Sequence, residues 1–185
     1  MLPALCVCRG VMRMRKLLCA ACLLVIPVLF IVSCSEKPPK APDQLMVSVA
    51  ANAQITQGES ALTCSVTRNS EGIAVITVSQ PSLLNGMSFE WRGDGYGISY
   101  NGLACKAEQP FLPSTSFASA IINVFSACEN IDALVIQSQE GEKTTYSGSS
   151  ESGRFEVVAD NSDGFIEKLT VPDLKLTVDF TRWES

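Results

Sequence analysis

Between Met46 and Trp183 the apolar residues recur mostly at every second position. Ser60 to Arg68 is the clearest stretch: Leu62, Cys64 and Val66 fall on one face, Thr63, Ser65 and Thr67 on the other. That is the alternation of a half-buried strand. Met46 to Gln54 reads as the strand before it, although its alanines suit helix and strand alike. Asn69-Ser70-Glu71-Gly72 forms a turn, and Ile73 to Ser79 returns as the antiparallel partner, apolar on both faces as a central strand is. A connection, Pro81 to Gly86, leads to Phe89 and Trp91. Their strand turns at Gly93-Asp94-Gly95 and continues through Ile98 and Tyr100. Asn101-Gly102 suits a type I′ hairpin, whose two central positions need positive φ, and Leu103 to Ala107 is the return strand.

The period then changes. Phe117, Ile121, Val124, Phe125 and Cys128 recur at helical spacing and predict an amphipathic helix. Ser114 or Ser116 caps it by accepting from a free N–H of the first turn. Strands resume at about Ala133–Gln139, Thr144–Ser149, Arg154–Ala159, Phe165–Val171 and Leu174–Trp183. Turns at Glu140-Gly141, Ser152-Gly153, Asp163-Gly164 and Pro172-Asp173 separate them. In the last strand Leu174, Leu176, Val178 and Phe180 point inward. The expectation is a mainly β domain (α+β) of about nine or ten antiparallel strands with one main helix. So wide a sheet has to curl to bury its apolar face, and the helix packs on the concave side.

The first residues follow another rule. Leu17 to Val32 is a run of roughly 16 apolar residues, short of the about 20 of a spanning helix. Basic residues precede it, as in a secretory signal. It ends at Ile31-Val32-Ser33-Cys34, which resembles the bacterial lipobox. In proteins with that motif the peptide bond before the cysteine is cut and its thiol is diacylated, and two acyl chains make a stable anchor. The alternative is an uncleaved signal anchor in which Cys34 is incidental. Residues 1–33 are then the signal, with translation starting at Met12 or Met14, where the basic cluster is compact. Residues 34–45, rich in proline, form a tether, and 46–185 form the domain. The expected address is the extracytoplasmic face of the cell membrane, or the outer membrane in a diderm cell.

Charge and chemistry narrow the function. Four of the 14 basic residues precede Cys34 and none of the 19 acids does, which leaves 10 basic against 19 acidic residues and about −9 for residues 34–185. Such a chain does not neutralise phosphates, so nucleic acid is not its partner. Of 8 cysteines, Cys6, Cys8, Cys19 and Cys22 leave with the signal and Cys34 is lipidated. Cys64, Cys105 and Cys128 remain, an odd number, open to burial as small hydrophobes, to one disulfide or to a reactive thiol. With no histidine, Ser-His-Asp and Cys-His catalysis are excluded and a zinc site lacks its commonest partner. Glu140 and Glu142 lie around one turn and read as solvated. Asp160-Asn161-Ser162-Asp163-Gly164 hints at a calcium loop, but Thr170 stands where the twelfth-position carboxylate belongs. No catalytic residue, metal or cofactor is expected, and the reading is non-enzymatic.

The order of a strand pair, then "VSQPSLLNGMSFEWRGDGYGISYNGL", a helix, and a meander ending in "VPDLKLTVDF" resembles the LolA/LolB-like lipoprotein carriers. It looks closest to the Gram-positive GerS-like lipoproteins. Pro81, Leu84, Gly86 and Phe89 match the Pro, Leu, Gly and aromatic hairpin that follow the third strand in such proteins. Two features depart from the pattern: prolines 38, 39 and 42 stand where a long N-terminal helix is common, and no basic cluster marks a headgroup site.

The resemblance implies a half-barrel whose concave face binds an acyl chain or a partner segment. Its lining would come from Leu62, Val66, Ile76, Phe89, Trp91, Ile98 and Tyr100 of the sheet and Phe117, Ile121 and Phe125 of the helix. Two functions compete. A carrier of a lipid, acyl chain or lipoprotein intermediate needs an open apolar cavity. A scaffold or regulator that holds a cell-envelope or spore-cortex enzyme at the membrane needs a closed core and an exposed patch.

Overall fold

The computed structural model describes residues 40–93, 95–107 and 112–183; the Leu17–Val32 run and Cys34 lie outside them. Among the described residues no helix is long and apolar enough to cross a membrane. Eleven strands form: β1 (Val49–Gln57), β2 (Ser60–Arg68), β3 (Ala74–Gln80), β4 (Ser88–Trp91), β5 (Tyr96–Tyr100), β6 (Leu103–Ala107), β7 (Val135–Glu140), β8 (Lys143–Ser150), β9 (Gly153–Asp160), β10 (Ile166–Val171) and β11 (Leu176–Arg182). The expected nine or ten falls short because β4 and β5 are separate strands of four and five residues. In the sequence they read as one strand that turns.

Alternation decides what each strand buries. Val49, Ala51, Ala53 and Ile55 point inward from β1, and Cys64 and Val66 from β2. Leu176, Val178 and Phe180 do so from β11. Leu174 falls instead in a short 3-10 turn, Pro172–Leu174. The Asn101-Gly102 hairpin forms as expected, with φ of +48° and +80°.

All eleven strands belong to one open antiparallel sheet, in the order β6-β5-β4-β3-β2-β1-β11-β10-β9-β8-β7. Each strand pairs with the next in the chain except β6 with β7, and β1 also pairs with β11. The first and last strands therefore meet in the middle, and β6 and β7 are the two edges. The passage from β6 to β7 leads from one edge to the other, and the helix α1 (Phe117–Cys128) lies on it. Curling of the sheet shortens that passage and buries the apolar face at once.

Ser116 is the cap of α1, accepting from Ser119 N–H at 3.2 Å. The stripe expected from spacing is buried except at its first residue, Phe117, which is half-buried; Ala118, Ser119, Ala120 and Ile122 are buried too. A helix lying on a flat sheet hides one side only. Here the curved sheet encloses most of its circumference. The rings of Phe117 and Phe89 (β4) meet edge-on at 5.2 Å, and those of Phe125 and Phe180 (β11) at 5.5 Å. Asn123 donates to Ser152 Oγ, between β8 and β9, at 3.0 Å.

The N-terminal segment closes one side. Leu45 is buried, and Met46 N–H donates to Gly164 O at 2.8 Å. A Cβ on Gly164 would stand 2.2 Å from Gln44 O, so glycine is required for the segment to lie there.

Candidate functional site

The seven sheet residues expected to line a ligand site share one face. Val66 stands opposite Ile76, Ile76 opposite Phe89, and Phe89 opposite Ile98. Leu62 pairs with Ile55, Trp91 with Tyr96, and Tyr100 with Leu103. Phe117, Ile121 and Phe125 meet this face from α1. The helix fills the middle: Val66, Ile76, Ile121 and Phe125 are at most 1% exposed and Phe89 is 6% exposed. These are core positions. Leu62, Trp91, Ile98, Tyr100 and Phe117 are half-buried around them. The Tyr100 hydroxyl donates to Leu83 O.

Open volume lies farther along the same face, beside the edge strand β7. A cavity of about 610 Å³ is bounded by Ile136 of β7 and Tyr146 of β8, which pair directly. The chain leaving α1 supplies Ile131, Asp132 and Leu134, and Lys40, Ala41, Pro42 and Asp43 form the remaining wall with Gln139. Its apolar surface comes from three separate parts of the chain. Its one buried polar group is Tyr146, 2% exposed, whose hydroxyl has no hydrogen-bond partner among the described residues. Burial pushes the Tyr146 pKa up, so the phenol stays a neutral donor. At the rim Lys40 Nζ contacts Asp43 Oδ1 at 2.7 Å and holds that carboxyl below its usual range.

A second hollow of about 610 Å³ lies on the opposite face of the same edge, against Val135, Gln137, Ser147 and Glu156. Leu62 borders a smaller cleft of about 230 Å³ near Gln54 and Pro81. Neither has a buried orphan group like Tyr146.

The other candidate chemistry resolves into local structure. Glu140 and Glu142 are exposed at the β7–β8 turn. Asp160 Oδ1 accepts from Ser162 N–H and Oγ–H at 2.8 and 2.7 Å. Asp163 accepts from Phe165 N–H and from Arg182. These hydrogen bonds hold both carboxyls below their usual range. Among the described residues no group of three or more His, Cys, Asp or Glu side chains is placed to hold a metal ion. Cys64, Cys105 and Cys128 are free thiols, the first and last buried and Cys105 exposed on β6. Burial pushes Cys64 up to about 11 and Cys128 to about 12, with Arg68 opposing the rise at Cys128.

Two residues of consequence escaped the sequence reading. Tyr146 carried no signal beyond strand propensity. Arg68 did: it continues the inward series Leu62, Cys64, Val66, so a charge on the buried face was legible.

No family model matches the chain, and no curated protein matches it. Among solved structures it is similar to an uncharacterized conserved protein from Thermus thermophilus, with 12% identity and a TM-score of 0.45, over 75% of this chain and 81% of that one. It is also similar to a LolA superfamily protein from Nitrosomonas europaea, with 6% identity and a TM-score of 0.37, over 75% of this chain and 87% of that one. Neither of these two is a GerS-like protein by its description.

Proposed function

We propose that this chain is a non-enzymatic bacterial lipoprotein, acylated on Cys34 and held at the extracytoplasmic face of the membrane. Its domain takes a hydrophobic ligand, a lipid or acyl chain, in the cavity beside β7. The observation that carries this reading is the cavity itself. Its volume falls in the range of small-molecule sites, and it is bordered by Ile131, Leu134, Ile136 and Tyr146. The Tyr146 hydroxyl itself is closed off from the cavity, so the wall that a ligand meets there is mainly apolar. The site is therefore suited to an apolar chain. It sits beside the helix-filled centre rather than in it.

The alternative, a scaffold or regulator of an envelope or spore-cortex enzyme, has one observation in its favour. The core under α1 is closed, while both sheet edges, β6 and β7, keep unpaired backbone groups onto which a partner strand can add.

Native mass spectrometry of the protein purified from cells, before and after denaturation, tests the choice. A mass excess that is lost on denaturation, extracts as a lipid and is reduced by Ile136→Asp supports the carrier reading. A clean mass that stays clean after incubation with membrane lipids overturns it and favours the scaffold.

A further inference from the structure

Both edges of the sheet are open among the described residues, but they are not alike. β7 is blunted: its pairing with β8 shifts register between Ile136 and Ser138, and it ends in Glu140. A bulge and a charge are the usual protections of an edge strand. β6 pairs with β5 without a break, from Tyr96–Ala107 to Tyr100–Leu103. Leu103 is 77% exposed and Cys105 is exposed as well. Lys106 is the single charge on the strand. Its stem lies against the bare backbone of Gly97, 3.9 Å from where a Cβ would stand, and the Glu90 carboxylate approaches the same point at 3.7 Å. The stem therefore leans towards an acid on β4 and away from the edge.

The hairpin fixes which backbone groups face outward. In a turn such as Tyr100–Leu103 the first carbonyl accepts from the fourth N–H, so Leu103 bonds inward to β5. Bonding direction alternates along an antiparallel strand, so Cys105 bonds inward too. Ala104 and Lys106 then present their N–H and C=O to the open edge. An added antiparallel strand has to meet these two residues.

β6 itself fits them. With a second copy centred on Cys105, Ala104 of each copy stands opposite Lys106 of the other. Both are bonded pairs, roughly four backbone hydrogen bonds in all. Centring on Lys106 instead sets two like charges face to face. Centring on Ala104 runs Lys106 into the Asn101-Gly102 turn, whose positive φ values are not those of a strand. Charge favours the same occupant. Residues 34–185 carry about −9, so two copies repel over most of their surface. From Tyr96 to Ala107 there is no acid and one lysine. Here the chain meets itself without acid facing acid, and Lys106 meets an alanine.

We infer that β6 is a contact between two copies of this chain, joined edge to edge about Cys105 into one continuous antiparallel sheet. The contact is two-fold symmetric, the commonest arrangement of a homo-oligomer. Leu103 and Cys105 share a face of the strand, and in the pair they cover each other diagonally. A strand of five residues is small against the roughly 20 residues a side of a standard interface. The pairing is therefore reversible and grows with concentration. It depends on neither the carrier reading nor the lipid anchor.

The test is oxidation by diamide of the protein purified from cells, over a series of concentrations, read by non-reducing electrophoresis. Diamide takes two electrons and two protons from a pair of thiols. Directly opposed Cys105 residues would have Cα atoms about 4.5 Å apart, within disulfide reach. The expected result is a species of doubled mass that rises with concentration and is lost in Cys105→Ser. Ala104→Pro removes an N–H that faces the open edge and should abolish it. Ala104→Lys, set against Lys106 of the second copy, should abolish it too, and Ala104→Glu should increase it. Melting of the lysine and glutamate variants, at an exposed position, shows that the fold is kept. Equal cross-linking in all Ala104 variants would mean random collision and overturns the pairing. A loss with glutamate as with lysine overturns the register about Cys105. Absence of the doubled species overturns the contact outright. Maleimide labelling of Cys105 in the same samples then tells an open edge from one covered by something else.

Discussion

Arg68 at the end of β2 donates to Glu129, the residue that closes α1. The guanidinium is buried, with a side chain 4% exposed, while the carboxylate is 53% exposed. Arg68 also donates to Val47 O at 3.2 Å, and its Nε has no partner among the described residues. One buried cation therefore ties the sheet, the N-terminal segment and the negative end of the helix together.

The two partners should respond unequally to substitution. Glu129→Ala leaves the buried guanidinium without its anion and should cost about 2 kcal/mol. Arg68→Met removes the charge and keeps the stem, and should cost about 1 kcal/mol or less. Urea unfolding of both variants decides it, and the reverse order would mean that Arg68 contributes through its hydrogen bond to Val47.

Gly164→Ala should lower stability by at least about 1 kcal/mol, roughly 3 °C in Tm for a domain of this size. The new Cβ meets Gln44 O and the position has a φ of +75°. Gly58→Ala is the control: φ is +59° but nothing lies within 4 Å. It should cost less, and equal shifts in a melting experiment would show that packing of the N-terminal segment contributes nothing.

Thiol titration should divide the three cysteines of the domain. At pH 8 a maleimide should modify Cys105 in the native protein and reach Cys64 and Cys128 only on unfolding. The same burial makes stability depend on pH. Both folded pKa values are raised above the ordinary 9.0, to about 11 and about 12. The unfolded chain therefore loses these protons first. The stabilisation is complete below pH 9 and declines as pH rises towards 11 and 12, by on the order of 1 kcal/mol per pH unit for each thiol. Cys64→Ala should flatten the alkaline limb of the stability curve even though it opens a small cavity.

Tyr146→Phe should leave the free protein as stable as wild type or more stable, by up to about 1 kcal/mol, because it deletes a buried donor with no partner. A clear loss of stability instead would mean that the hydroxyl is already satisfied in the free protein.

Much of this architecture is visible in the chain before it folds. The period-2 stretches, the Asn101-Gly102 hairpin and the capped helix are written in neighbouring residues, because strand alternation, turn dihedrals and helix capping are local physics. β1 shows the limit. Its alanines gave an ambiguous reading and a start three residues too early, yet Ala51 and Ala53 are fully buried in the centre of the sheet. Pairing on both sides, with β2 and β11, overrides weak propensity.

The sequence by itself determined the face that each residue takes. Leu62, Val66, Ile76, Phe89 and Ile98 are brought to one surface by alternation alone. Only the tertiary structure decided what that surface meets. That β1 closes against β11, that α1 fills the centre, that the open volume lies beside β7 and that Arg68 finds Glu129, 61 residues away, all depend on long-range contacts. Such contacts are selected by the total burial of a curved sheet around one helix, and no window of neighbouring residues contains that sum.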